Sequence, residues 1–451
     1  MATAPYTLTI AQAAEQIRTH QLSPLELVRS CLERIEQLDS RLQAWVTVDR
    51  EGALQAAKHC EEEIERGQYR GPLHGVPIGL KDIFYTKGLK TTAGSPIYAD
   101  FVPDYDATTV RRLREAGAII LGKAQTTEFA ALKPSPTHNP WNVEHTPGGS
   151  SSGSAAAVAA SMCPGSLGSQ TYGSTIRPAA YCGCVGLKPT YGRVSAHGLF
   201  ALCWSLDHVG LFARTVRDVT ILLYALAGDD PHDPGCVAAP VPDYRSALLN
   251  PLPPRIGLVR EFFLEKASAE TRKHVEGIAD RLARAGAQIK EVHLPESFAG
   301  EQEAHFKMLY AESAVSHAEA YARHKERYSL QMQDLIEKGK QISCAEYVTL
   351  RRHQQRFRHD MEVLYQSVDI LLTPSTPAPA PKGFTTTGDP SFNGPASFSG
   401  HPSLNLPSGL SVEGLPFGIQ LMSATLREDK LIAAGQWCET MLDFRQAPTL
   451  Q

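Results

Sequence analysis

The run VPIGLKD at residues 76–82, followed by DATTVRRLREAGAIIL at 106–121, decides the fold class. Val76, Ile78 and Leu80 with their small neighbours read as a short buried strand that ends at Lys81-Asp82. Asp106 is the expected cap of a helix that carries Val110 and Leu113 and closes at Gly117, and 118–121 reads as the next buried strand. The same order returns at 255–260 (strand), 268–285 (helix) and 287–294 (strand), and 369–372 adds a strand that runs into the proline-rich segment 373–381. Strands alternating with helices predict an α/β chain with helices on both faces of a mostly parallel or mixed sheet.

Working outward, the N-terminal arm (about 8–70) is helical. Thr9 with Gln12 makes one capping box, and Ser23-Pro24-Leu25-Glu26 makes a second with proline at the first helical position. Leu25, Val28, Leu32, Ile35 and Leu38 then mark one apolar face, which must pack on the main body. On the other side, 228–254 reads as a surface connection. The Pro, Gly, Ser and Thr-rich stretch 374–402 reads as a long ordered loop or a pocket rim rather than a linker, because apolar patterning resumes at 404–410 and 417–422. No repeat and no convincing linker divides the chain, so residues 1–451 are expected to form one domain: the arm, a core at about 71–225, and the rest of the sheet and rim at about 255–445.

Composition excludes several classes. The 451 residues carry 44 Lys+Arg against 48 Asp+Glu, a net charge of −4 that does not suit a nucleic-acid binder. A 42% hydrophobic content supports a folded core rather than a disordered chain. Residues 1–21 lack the basic and apolar regions of a leader, and no stretch reaches the ~20 apolar residues of a membrane span. The nine cysteines are scattered without metal-ligand spacing. These features predict a reduced, cytoplasmic protein without metal or cofactor.

The chemistry concentrates at 146–195. Gly148-Gly149-Ser150-Ser151-Ser152-Gly153 leads into an alanine-rich helix former, and Gly168-Ser169-Gln170-Thr171-Tyr172-Gly173-Ser174 follows. A helix starting near Ser174 would hold Pro178 in its first turn, where no intrahelical donor is lost. Ser174 would then sit at a positive helix end that favours an oxyanion. Neither phosphate-binding glycine motif is present, so a nucleotide cradle is a poor reading. Residues 149–153 fit G-x-S-x-G, but the polar, proline-broken stretch before them is not the strand a nucleophile elbow needs. Tight packing of small residues is the plain alternative. His74 reads as a structural residue near a strand start and His197 as a loop residue, and no histidine spacing points to a Ser-His-Asp triad, although such residues converge only in space.

Three blocks in order, residues 75–82, 122–130 and the segment ending at 182–193, with weaker matches at 371–374 and 414–421, are similar to the amidase signature family. The resemblance implies an α/β/α sandwich around a central mixed, twisted sheet covered by helices on both faces. It also implies a Ser-cisSer-Lys triad of Ser174 (nucleophile), Ser150 (after a cis peptide bond) and Lys81, with the backbone N–H groups of Thr171, Tyr172, Gly173 and Ser174 as oxyanion hole. The activity implied is hydrolysis of C–N bonds other than peptide bonds, in linear amides, through an acyl-enzyme. The partner is a small-molecule amide rather than a nucleic acid or membrane, and a homodimer is compatible with it. A lysine at its free pKa of ~10.4 is a poor base, so burial must lower it by ~3 units, about 4 kcal/mol. Alone, Lys81 would instead read as a salt bridge to Asp82 or another carboxylate.

Two departures from the family pattern bear on substrate. Gln170 stands where many members have Asp, and Tyr172 where they have Gly. Arg177 follows Ser174 by three residues rather than two, a form found in members that act on small amides. Gln170 and Arg177 are therefore the substrate-binding candidates. Arg177 either grips a substrate carboxylate or pairs with a protein carboxylate. The alternative function is the A subunit of a tRNA-dependent amidotransferase, which releases ammonia from glutamine for its partner proteins.

Overall fold

The computed structural model describes residues 4–450, so the first three residues of the leader reading lie outside it. Eleven strands form one continuous sheet: β1 (Trp45–Val48), β2 (Pro77–Lys81), β3 (Ile119–Ala124), β4 (Gly165–Gln170), β5 (Val185–Lys188), β6 (His208–Ala213), β7 (Arg255–Val259), β8 (Gln288–Val292), β9 (Ile370–Pro374), β10 (Ser403–Leu410) and β11 (Pro416–Met422). Their order is β1-β3-β2-β4-β6-β5-β10-β11-β9-β7-β8. Two parallel trios, β3-β2-β4 and β9-β7-β8, are joined by antiparallel strands, so the sheet is mixed as expected. No helix among the described residues is long and apolar enough to cross a membrane.

Helices cover both faces. Gly165 and Gly168 lie three residues apart on β4 and so face opposite sides. A Cβ on Gly165 would meet Ile10 and Leu222, from the helices Ile10–Arg18 and Val216–Leu226, while one on Gly168 would meet Ser151, just before the helix Ser152–Ala159. The N-terminal arm is thus docked on the sheet's covering layer, and Asp218 Oδ1 accepts the Ala11 N–H at 2.9 Å. Both predicted capping boxes are formed, and Ser268 caps the helix Ala269–Arg284.

Several elements differ from the sequence reading. Asp106 is not a helix cap: the helix Thr108–Glu115 starts after Ala107 without a side-chain cap, because the Asp106 carboxylate accepts the Lys87 N–H and pairs with Arg114. Four strands, β1, β4, β5 and β6, carry no clear signal in the sequence. In β4 the reason is compositional: GSLGSQ has one apolar side chain, since both faces are pressed too closely for bulk. Replacing Gly168 by valine would place Cβ 2.6 Å from Phe212 Cε2 and 2.6 Å from Ser151 Oγ. Urea unfolding of Gly168→Val is expected to give a lower midpoint at unchanged slope, a loss of about 1–3 kcal/mol.

Candidate active site

β2 and β4 are parallel neighbours, so their C-terminal ends open at the same edge of the sheet. β2 ends in Lys81 and β4 in Ser169-Gln170, and the loop after Gln170 carries Ser174 into the helix Ile176–Cys182. Pro178 falls in the first turn of that helix, as predicted. Ser150 comes from the other side, on the loop before the helix Ser152–Ala159, and the Gly149–Ser150 peptide is cis.

Lys81 is completely buried, and its Nζ donates to Ser150 Oγ at 2.7 Å and to Ser169 Oγ at 2.8 Å. The simpler reading, a salt bridge with Asp82, does not hold. Asp82 is turned away toward Lys123 at 3.9 Å and takes the hydroxyl and N–H of Thr92. Without an ion-pair partner, Lys81 is pulled down to about 7 by burial, against a smaller upward pull from Asp207. The neighbouring serines have other duties: Ser151 Oγ donates to the Ser169 carbonyl at 3.1 Å, and Ser152 Oγ to the Gly148 carbonyl at 2.8 Å.

The 171–174 loop is held from behind by its carbonyls. His305 Nε2 lies 3.0 Å from the Thr171 oxygen, Ser397 Oγ donates to Tyr172 O at 2.9 Å, and the Arg177 N–H donates to Gly173 O at 3.1 Å. No protein acceptor takes the amides of Tyr172, Gly173 or Ser174 among the described residues. A Cβ on Gly173 would lie 2.8 Å from Asn393 Oδ1, so only glycine fits there. Gln170, expected at the substrate, is fully buried and turned inward. Its Oε1 accepts the N–H groups of Thr175 (2.8 Å) and Ile176 (3.0 Å), and its Nε2 donates to Ser397. It therefore caps the helix after the nucleophile, which leaves the amides before that helix for an oxyanion.

Ser174 lines a cavity of about 370 Å³ together with Thr171, Tyr172, Gly173 and Arg177. Phe306, Leu309 and Leu335 supply its apolar wall, and 385–388 its rim, so the 374–402 stretch does border a pocket. The Tyr172 ring stands edge-on to His305 at 4.4 Å and tilts against Phe306 at 4.9 Å, with Gly394 leaving room for it. It forms part of the wall.

Arg177 is nearly buried and has no carboxylate partner among the described residues. Its Nη1 donates to Gly388 O at 2.5 Å and its Nη2 to Gly149 O at 2.6 Å, while Nε has no partner. Burial pulls the guanidinium down to about 10. The protein-carboxylate pairing is therefore not what the fold provides.

In the sequence Ser169 reads only as part of a small-residue cluster, because its contact with Lys81 depends on the pairing of β2 with β4. One cluster of metal-type side chains, Cys60, Glu63 and His74, occurs elsewhere among the described residues. There His74 Nδ1 accepts the Arg70 N–H at 3.1 Å while Glu63 pairs with Arg70 and His74, so these groups satisfy one another.

Comparison with known proteins finds relatives along nearly the whole chain. Residues 26–432 match the Amidase family. The putative amidase AmiD of Mycobacterium bovis is 40% identical over 449 residues, covering 95% of this chain and 93% of that protein. The glutamyl-tRNA(Gln) amidotransferase of Geobacter sp. (strain M21) has an A subunit that is 37% identical over 482 residues, covering 98% of this chain and 99% of that protein. Among solved structures, the peptide amidase of Stenotrophomonas maltophilia superposes with a TM-score of 0.89 at 32% identity, covering 99% of both chains. With a match running nearly end to end, and a buried lysine joined to two serine hydroxyls at one edge of the sheet, this chain belongs to the amidase signature family.

Proposed function

We propose that the chain is an amidase that cleaves the C–N bond of a small linear amide through an acyl-enzyme on Ser174. The observation that carries this reading is the Lys81 amine, fully buried, without a carboxylate, and bonded to Ser150 and Ser169. A neutral Lys81 takes the Ser150 proton while Ser150 takes the Ser174 proton, and Ser174 Oγ bonds to the amide carbon. The carbonyl electrons move onto oxygen, which the free amides of the 171–174 loop stabilise. The relay returns the proton to the nitrogen, the C–N bond breaks, and ammonia or an amine leaves. Water then hydrolyses the ester by the same path. Because Lys81 must be neutral, kcat/KM is expected to rise with pH through about 7 and level off above it.

The substrate we favour bears a carboxylate, because Arg177 lines the cavity as a buried cation that no carboxylate bonds directly, with a free Nε and only the more distant charge of Asp389 opposing the effect of burial. Ammonia release from succinamate and from butyramide tests this. Arg177→Gln is expected to lower succinamate turnover at least about 10-fold more than butyramide turnover. Equal losses would mean that the guanidinium only anchors Gly149 and Gly388.

The second reading, one component of a tRNA-dependent amidotransferase, is favoured by the 37% identity over 98% of the chain to the Geobacter protein. Assaying the purified chain alone on glutamine and on small amides separates the two. Turnover of small amides without a partner supports the free amidase; ammonia release from glutamine only on adding partner proteins supports the other.

A further inference from the structure

We infer that Asp207 is a positioning residue of this amidase site, fixing the first residue of the oxyanion loop against the 202–203 wall of the cavity. The inference rests on the triad reading above. Asp207 immediately precedes β6, the neighbour of β4, and one of its oxygens is within 2.5 Å of Thr171 Oγ1, which donates to it. Its other oxygen accepts the N–H groups of Leu202 (2.9 Å) and Cys203 (3.0 Å). Leu202 and Thr171 both line the substrate cavity, so one carboxylate ties two of its walls together. On its far side Asp207 borders a separate cavity of about 210 Å³, beside Tyr191, His197, His232 and Asp233.

Lys81 itself touches only hydroxyls, and Asp82, the nearest carboxylate in sequence, is engaged by Lys123. Asp207 is the charged group whose field reaches Lys81, and it favours the ammonium. Around Asp207 lie the Cys203 thiol, the Tyr191 phenol and the Glu312 carboxylate. Glu312 is held by Ser205, Tyr347 and Cys203 and faces Asp207 as a like charge. Burial pushes Asp207 up to about 6, so above that pH its carboxylate is charged and holds Thr171 and the 202–203 amides together.

Asp207→Asn keeps the side chain's shape but removes the charge and one acceptor. We expect kcat to fall at least about 10-fold with KM little changed, and the acid limb of the kcat/KM profile to move down by ~0.5–1 pH unit, because the loss of a neighbouring anion favours neutral lysine. Thr171→Val, which keeps the carboxylate, should lower kcat without moving that limb, and Thr171→Ser should restore it. Wild-type kcat and limb position in both Asp207→Asn and Thr171→Val would overturn the inference, as would a loss in Asp207→Asn that follows melting temperature alone with the limb unmoved. Should Asp207→Asn fail to fold, the Thr171 pair decides: loss in Val with rescue in Ser supports the role, and equal wild-type rates overturn it. Lys81→Ala is measured alongside. If it stays active, the triad reading itself fails; if it is dead while Asp207→Asn behaves as wild type, only this inference does.

Discussion

Alanine at position 174 is expected to abolish amide turnover, lowering kcat by at least about 10⁴-fold, and to end covalent labelling by a fluorophosphonate. Removing Oγ takes away the hydroxyl proposed to bond to the acyl carbon, on a cavity wall whose Tyr172, Gly173 and Ser174 amides no protein acceptor takes among the described residues. What survives is substrate binding and the oxyanion site, which in serine hydrolases generally leaves a residual 10³–10⁴-fold over water. The backbone that forms the loop is held by Gln170, His305 and Ser397 rather than by the Ser174 side chain, so the variant should fold normally. Labelling of wild-type protein, followed by peptide mapping, should place the adduct on Ser174. An adduct on Ser150 or Ser169, or labelling that persists in Ser174→Ala, would move the nucleophile and end the mechanism given above.

The second large effect opposes activity to stability. Lys81→Met removes the base and should also lower kcat by several orders of magnitude, yet it should raise the melting temperature near pH 6. Burial holds Lys81 at about 7 in the fold, against ~10.4 in the unfolded chain. Between those values the unfolded state binds more protons, so the contribution of Lys81 to stability improves as pH rises through this window. Below about 7 the buried ammonium weighs against folding by roughly 4–5 kcal/mol, at 1.36 kcal/mol per unit. Methionine of similar length relieves this but leaves the Ser150 and Ser169 hydroxyls without their donor, a loss of about 1–3 kcal/mol. The net expectation is a gain of about 1–4 kcal/mol at pH 6 that shrinks toward zero or reverses by about pH 9.5. Melting curves of both proteins across that range test it. A difference independent of pH would mean that Lys81 does not titrate in this window. The other buried lysines, Lys123 and Lys188, are common to both proteins and cancel.

The legible parts of the fold were those written in local pattern. Thr9 with Gln12 and Ser23 with Glu26 are short-range signals that formed as read, and the helical face is buried at Val28, Leu32, Ile35 and Leu38, with Leu27 and Cys31 completing it where Leu25 stays only partly buried. β2, β3, β7, β9, β10 and β11 were visible as short apolar runs because both faces of a covered sheet select such residues. β4 was not, because close approach of Ile10, Leu222, Ser151 and Phe212 replaced apolar side chains with glycine and serine, which carry no strand preference. Asp106 followed the rule for a helix start but found Lys87 and Arg114, partners that a one-dimensional pattern does not contain.

For the site, sequence alone determined the candidates: a lysine at a strand end, two serine clusters, a glycine-lined loop ahead of a helix, and an arginine one turn beyond. Their residue types and spacing are covalent facts and survive folding unchanged. Only the tertiary structure decided the partners: Lys81 with Ser150 and Ser169 instead of Asp82, Gln170 turned inward to cap a helix, Arg177 left without a carboxylate, and Asp207 brought to Thr171. Such choices are made by strand pairing and by burial, because a charge removed from water takes whatever polar group the sheet sets beside it, however distant along the chain.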